Sequence, residues 1–321
     1  MKAIIVNKPG NSDVLEYCDV PKPNLKKGWS LIKIKGFGIN HSEIFTRQGH
    51  SPSVKFPRIL GIECVGIIEE TTEPDRLPIG QKVVSIMGEM GRDFDGSYAE
   101  YVLLPNQQIY PIQTKLKWDI LASLPETYYT AYGSFLSLNV NKDDSILVRG
   151  ATSGVGIAFT NIVKSLYPNI KIVGTTRNLN KRAQLINKGY TDVIIDNDGT
   201  LETTQTFSKI IDLIGPKSIK NSIIHLKKQG IVCSVGQLGN AWYLDEFDPI
   251  MELRDFKKLT SFYSGDVDEA LLNEIITMVE DNRIQDVKPE KIFKLDEIQQ
   301  AHAYLENKDH SLGKVVVMNE L

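Results

Sequence analysis

The run Gly150-Ala151-Thr152-Ser153-Gly154-Val155-Gly156 is the part of the sequence best suited to chemistry. It follows the apolar stretch Ser145-Ile146-Leu147-Val148-Arg149 and opens a helical pattern from Val155 to Leu166. A glycine turn between strand and helix lets the backbone approach a pyrophosphate closely, while the free amides at the helix start point at its charge. The spacing is Ala-x-x-Gly-x-Gly, a variant of the Gly-x-Gly-x-x-Gly rule. A glycine turn that only packs on a sheet is the plainer alternative, and the flanking strand and helix weigh against it.

The end of the next strand, Lys171-Ile172-Val173-Gly174-Thr175, separates two cofactors. An Asp or Glu there bonds the adenosine ribose hydroxyls of NADH and repels the 2′-phosphate of NADPH. Here the chain continues Thr176-Arg177-Asn178, with Lys181 and Arg182 beyond. Neutral hydroxyls and cations suit a phosphate better than a diol, so the sequence predicts NADPH. The alternative is that these basic groups solvate a helix start, where the dipole does not favour them. That alternative weighs more on Lys181 than on Arg177. Further on, Trp242 and Tyr243 follow the loop Gly236-Gln237-Leu238-Gly239. They are candidates for an apolar wall beside a planar acceptor, with a subunit interface or ordinary burial equally open.

These residues need a scaffold. Strand candidates at 193–195, 210–214 and 230–236 alternate with helical stretches, the rhythm of βαβ units whose parallel strands require crossover helices. The segment 118–138 places apolar residues at helical spacing. The first third instead carries short strands, at 30–35, 64–69, 82–87 and 98–104, broken by Gly and Pro, with one helix starting near His41. That texture suggests a partly antiparallel, barrel-like domain. After helices near 268–281 and 295–306, the strand 313–318 has too little chain around it for a core of its own and is expected to rejoin the first domain. The chain therefore reads as an α/β nucleotide-binding domain at about 119–258, inserted into a substrate domain of 1–118 with 259–321.

Composition removes several classes. With 41% hydrophobic and 24% charged residues the chain is ordinary globular material, and a formal net charge of -3 offers no long-range attraction to nucleic acid or an anionic membrane. No apolar run approaches the roughly 20 residues of a membrane span. Met1 to Val6 meets Asn7-Lys8-Pro9-Gly10 too soon for an export signal and reads as a strand, which makes the cytoplasm the expected location. Cys18, Cys64 and Cys233 lie too far apart for a zinc lobe or a disulfide framework. No Ser-His-Asp or Cys-His arrangement is signalled, and His302 and His310 read as helix or loop residues.

Taken together, the motifs resemble a medium-chain dehydrogenase/reductase of the zinc-free quinone oxidoreductase branch. They are Gly38-Ile39-Asn40-His41-Ser42-Glu43, Phe56 to Gly66, Gly96-Ser97-Tyr98-Ala99-Glu100-Tyr101, Leu124 to Tyr132, the turn at Gly150 to Gly156, and Gly313-Lys314-Val315-Val316. The resemblance implies a Rossmann-type doubly wound parallel sheet inserted in a GroES-like, mostly β domain. It implies that Asn40 and the region around Tyr129 face the nicotinamide across an interdomain cleft, with Tyr128, Trp242 and Tyr243 toward the substrate. The cofactor set is then Thr130, Ala151, Thr152, Ser153, Gly154, Val155, Gly156, Thr175, Thr176, Arg177, Lys181, Val235 and Gly236.

In zinc-dependent relatives the positions matching Asn40, Ile62 and Glu126 carry Cys, His and Cys, so no catalytic metal is expected here. One departure opposes the cofactor reading: many NADPH-using relatives have an aromatic residue where this chain has Asp196-Asn197, and a carboxylate near the 2′-phosphate would repel it. The implied reaction is hydride transfer to a quinone or a conjugated carbonyl. Asn40 would donate a hydrogen bond to the developing oxyanion, and Tyr129 would donate or relay a proton. Reduction of 2-alkenals or enoyl thioesters, and NADPH binding without turnover, are the alternatives. A homodimer is expected, with the sheet edge near Leu244 to Met251 contributing.

Overall fold

The computed structural model describes residues 1–307 and 312–320. The chain divides into two compact units: Met1–Glu126, Ser264–Glu280 and Lys288–Leu321 form the first, and Thr127–Tyr263 with Asp281–Val287 the second. His310 lies outside the described residues.

The first unit opens with β1 (Lys2–Val6), β2 (Leu15–Asp19) and β3 (Trp29–Ile39), then α1 (His41–Arg47), β4 (Arg58–Ile59), β5 (Glu63–Glu70), β6 (Lys82–Ile86), β7 (Tyr101–Pro105) and β8 (Tyr110–Pro111). In β3 the alternation Ile32, Lys33, Ile34, Lys35 turns apolar residues inward and ammonium groups outward. Beyond Lys35 both faces of the strand are covered, and Gly36, Phe37, Gly38 and Ile39 are all buried. A Cβ on Gly36 would meet Ala122, from α2 (Trp118–Ala122), at 3.1 Å. That helix belongs to the first unit, so the crossing falls at 126/127, some residues beyond the expected 118/119. The single helical stretch expected over 118–138 is two helices. Pro125 begins α3 (Pro125–Leu138), where its missing N–H costs nothing, and would break a helix running through it.

The second unit continues with β9 (Ser145–Arg149), α4 (Gly154–Leu166), β10 (Lys171–Thr176), α5 (Arg182–Asn187), β11 (Asp192–Asn197), β12 (Thr200–Leu201), β13 (Phe207–Asp212), α6 (Pro216–Ile224), β14 (Leu226–Ser234), α7 (Pro249–Glu252) and β15 (Lys258–Ser261). Its sheet has the order β12-β11-β10-β9-β13-β14-β15. All pairs are parallel except β11 with β12. Val173, Leu147, Ile210 and Val232 stand abreast on neighbouring strands and share one buried cluster. The chain winds outward from β9 in both directions, so the carboxyl ends of β9 and β13 flank the switch point where such sheets bind ligands. The edges of the sheet are β12 and β15, and the expected edge at 244–251 is instead loop leading into the short α7, which Pro249 starts and the Asp248 carboxylate caps. Because β15 joins this sheet, the second crossing lies at 263/264 where 258/259 was expected.

The chain returns to the first unit with α8 (Glu269–Glu280), β16 (Lys291–Lys294), α9 (Ile298–Glu306) and β17 (Val315–Met318). As expected, β17 joins the first unit's sheet, of order β16-β17-β3-β5-β6-β8, pairing antiparallel with β3 in the register Val316 to Gly38. His302 on α9 is buried: the Arg47 guanidinium donates to its Nδ1 at 3.2 Å, and its Nε2 is 2.9 Å from the Tyr98 hydroxyl. Burial and the Arg47 charge push its pKa down to about 3, so the ring is neutral and serves structure. Among the described residues no helix is long and apolar enough to cross a membrane.

Candidate active site

The glycine turn of the second unit is built as the sequence predicts. Gly150 has φ +81°, and a Cβ on Gly156 would sit 2.8 Å from the Gly150 carbonyl oxygen and 3.1 Å from the Ala151 Cα. Ser153 caps α4: its hydroxyl accepts from the Gly156 amide at 3.1 Å and donates to the Gly150 carbonyl at 2.8 Å. Gly154 and Val155 follow in the first turn, and their amides have no acceptor among the described residues. Two free amides and the positive end of a long helix fit a pyrophosphate. Thr152 lines the turn, half-buried, and Ala151 is buried beneath it.

At the end of β10, the Thr175 hydroxyl accepts the Gly150 amide at 3.2 Å and ties the two strand ends together. Thr176 spends its hydroxyl on Asn178, accepting from its amide and donating to its carbonyl, both at 3.1 Å. Arg177 is exposed and has no hydrogen bond or ion pair among the described residues. Lys181 is buried, unlike a cation that merely solvates a helix start. Arg182 is engaged with Asp192 at 2.8 Å. The amides of Val235 and Gly236 both donate to the Asp212 carbonyl, at 3.0 and 3.4 Å, which fixes the loop after β14.

On α3, Tyr128 is buried with its hydroxyl accepting from Asn161 Nδ2 at 3.1 Å, and burial pushes its pKa up. Tyr129 is only 1% exposed and its ring lies 5.5 Å from that of Phe262. Thr130 is buried too, its carbonyl bonded by the Ser134 hydroxyl at 2.6 Å. Trp242 and Tyr243, by contrast, are 42% and 80% exposed.

In the first unit Asn40 sits at the junction of β3 and α1. Its Nδ2 donates to Glu63 Oε1 at 2.8 Å, and its Oδ1 accepts from the Lys314 ammonium at 2.6 Å. Lys314 also bonds Glu63 Oε1 at 2.6 Å, while Glu63 Oε2 accepts the Glu126 amide at 2.8 Å. Among the described residues Nδ2 meets a carboxylate and Oδ1 meets an ammonium, which fixes the orientation of the amide. The cluster explains Gly38, whose Cβ would run into Lys314 and the Glu63 carboxylate.

Two further carboxyl groups complete the cluster. Glu43 is 1% exposed; its Oε2 accepts the Asn40 amide at 3.2 Å and the Ser42 hydroxyl at 3.0 Å, and its Oε1 has no partner among the described residues. Glu126 accepts the Ser264 hydroxyl at 2.8 Å. Burial, with the Glu63 charge adding to it, pushes both pKa values up to about 7. Lys314 and Ser264 were not among the sequence candidates, and Glu43 entered only as a possible metal donor. Lys314 was visible only as part of the motif Gly313-Lys314-Val315-Val316, with no role attached.

The family model described as alcohol dehydrogenase GroES-like domain matches residues 26–114, and the one described as zinc-binding dehydrogenase matches residues 183–317. A quinone oxidoreductase of Lama guanicoe is 26% identical over 335 aligned positions, covering 99% of this chain and 97% of that protein. The acryloyl-coenzyme A reductase of Sulfurisphaera tokodaii is 24% identical, with 99% of each chain covered. A mycobacterial protein solved in complex with NADPH shares the fold at a TM-score of 0.82 and 22% identity, covering 99% of both chains. The chain belongs to the medium-chain dehydrogenase/reductase superfamily, in its quinone-oxidoreductase-like branch. Asn40, Ile62 and Glu126 separate it from the zinc-dependent relatives, and among the described residues no group of three or more His, Cys, Asp or Glu side chains could hold a metal ion.

Glu43 gives this cluster a measurable pH signature. Its pKa rises from 4.5 to about 7 on folding, so its share of stability is complete below pH 4.5 and is lost as the pH climbs through 7. Glu43→Gln keeps an acceptor for the Asn40 amide and removes the titration. Denaturant unfolding should show the variant gaining on the parent by on the order of 3 kcal/mol between pH 4.5 and 8. A difference that stays flat with pH would contradict the assignment.

Proposed function

We propose that this oxidoreductase prefers NADPH to NADH and passes its hydride to a quinone. The observation that carries the cofactor reading is the end of β10, where Thr176 stands in the place of an acidic residue and an unengaged Arg177 follows. The free amides of Gly154 and Val155 are suited to hold the pyrophosphate, and Thr130, Val235 and Gly236 complete the surroundings of the nicotinamide half. Bound NADPH supplies the hydride. Likeness to quinone oxidoreductases across almost the whole chain supports the acceptor, whose reduced anion delocalises its own charge. A conjugated thioester is the second reading, favoured by the likeness to an acryloyl-coenzyme A reductase.

Asn40 is assigned to the acceptor's oxygen. One of its two amide N–H groups goes to Glu63, and the other remains to meet charge that develops as the hydride arrives. Tyr129 is assigned to proton delivery, and Tyr128, Trp242 and Tyr243 to the acceptor's surroundings. The protein acts as a homodimer through β15, which pairs only with β14 among the described residues and lies just beyond the exposed Ile250, Met251 and Phe256.

Arg177→Ala should weaken NADPH by roughly 1.5 to 3 kcal/mol, the worth of a charge-assisted contact, and leave NADH nearly untouched. Titrating both cofactors into both proteins measures this, and equal losses would remove Arg177 from phosphate recognition.

Asn40→Ala should leave NADPH affinity intact and slow single-turnover hydride transfer by up to about 10²-fold. The loss should be larger for an unsaturated aldehyde or thioester than for a quinone. Stopped-flow oxidation of NADPH against each acceptor isolates the step; unchanged rates for both would shift the role to a tyrosine, backbone amides or water.

For the assembly, light scattering across a concentration series should report a dimer. Replacing Ile250 and Met251 with Lys should shift it toward monomer, and a parent protein that is monomeric throughout would reject the interface.

A further inference from the structure

We propose that Arg149 sets the cofactor preference of the second unit by cancelling the charge of Asp196, so that the carboxyl edge of the sheet admits an adenosine 2′-phosphate. This rests on the NADPH reading above and names the residue pair that makes it possible.

Register brings Asp196 to the same edge of the sheet as the end of β10, where the phosphate is proposed to bind. Thr176, the last residue of β10, pairs with Ile195 of β11, so Asp196 is the next residue along β11 at the level where the chain leaves β10 toward Arg177. An uncompensated carboxylate at this edge of the sheet would repel a phosphate held near the end of β10. Asp196 does not face the site alone. Arg149, at the end of β9, donates to Asp196 Oδ2 from both Nε at 2.9 Å and Nη2 at 2.7 Å. To do so its side chain crosses the end of β10, since β10 lies between β9 and β11.

The remaining bonds hold the pair in this arrangement. Asp196 Oδ1 accepts the Gly199 amide at 2.9 Å, and Arg149 Nη1 is bonded to Asn221 Oδ1, the Ser222 hydroxyl and the Ser218 carbonyl on α6, at 3.0, 2.9 and 3.2 Å. Arg149 is fully buried and Asp196 nearly so. The neighbouring Asp212 takes its bonds from the Ser218 and Ser222 hydroxyls and from the Ile214 and Gly215 amides, leaving the guanidinium charge to Asp196. A buried ion pair is weak evidence for stability, because apolar residues of similar volume serve as well. Its charge balance beside a phosphate site is a function that such residues could not replace.

The test is the ratio of NADH to NADPH dissociation constants, measured by fluorescence titration in the parent, Arg149→Met, Asp196→Asn and the double variant. The parent's own ratio tests the cofactor reading; the changes between variants test the pair. Arg149→Met should lower the ratio about tenfold through lost NADPH affinity, Asp196→Asn should raise it about threefold, and the double variant should return within about twofold of the parent. If Arg149→Met does not fold with an uncompensated buried carboxylate, Asp196→Asn and the double variant still decide. Equal losses for both cofactors, with the ratio constant across the folded variants, would make the pair a structural staple and overturn the proposal. A lower ratio in Asp196→Asn would do the same.

Discussion

Moving an ammonium and a carboxylate out of water costs several kcal/mol for each ion, and their contact recovers this only when the remaining donors and acceptors are also met. In the first unit Lys314 and Glu63 satisfy that condition together with Asn40 and the Glu126 amide. The requirement reaches outward. It leaves no room for a side chain at Gly38, it fixes which end of the Asn40 amide points where, and it ties the start of α3 to β5 through the bond from the Glu126 amide to the Glu63 carboxylate. It also loads the neighbourhood with negative charge. Burial, with the Glu63 charge adding to it and the Lys314 ammonium offsetting only part, pushes Glu43 and Glu126 toward neutral pH.

The second unit meets a similar constraint with a different geometry. Parallel strands bring their carboxyl ends to one edge, and here three of those ends carry Arg149, Asp196 and Asp212. Two carboxylates and one guanidinium would leave the edge negative. The serines and asparagine of α6 take up the donors and acceptors left over, so the helix packed under the edge is polar where it meets the strand ends and apolar at Ile219 and Ile223, where it joins the core. Arginine suits this place because its planar fork can bond two directions at once without losing its charge.

Much of this fold was legible in sequence because its signals are local. Period-two alternation, glycine turns and strand-helix rhythm fall within windows of ten residues or so, and β9, the Gly150 turn and α4 appear where those windows put them. The misreadings were also local. Apolar spacing alone ran α2 and α3 together across Pro125, and a sheet edge was expected near 244–251, where the chain instead forms loop and the short α7. The buried charges had no such signal. Lys314 and Glu63 are 251 positions apart and Arg149 and Asp196 are 47 apart, so neither residue announces its partner. Arg149 read as the last residue of a strand, and Asp196 as an obstacle to phosphate, because a charge's sign is visible in sequence and its compensation is not.

The composition of the Asn40 cluster bounds the chemistry this branch of the fold can perform here. Where zinc-dependent relatives present thiolates and imidazole, positions 40, 62 and 126 offer an amide, a hydrocarbon and a carboxyl group. An amide N–H stabilises a developing oxyanion by a single hydrogen bond, whereas a divalent cation would supply several kcal/mol of charge stabilisation. Under the assignment proposed for Asn40, the acceptor carries most of its own negative charge. A quinone does so through its ring, a conjugated thioester through its enolate, and an isolated aldehyde hardly at all. In the role proposed for Asn40, the ion pair behind it would strengthen this selection, since it holds the amide in one orientation without adding a net positive charge there.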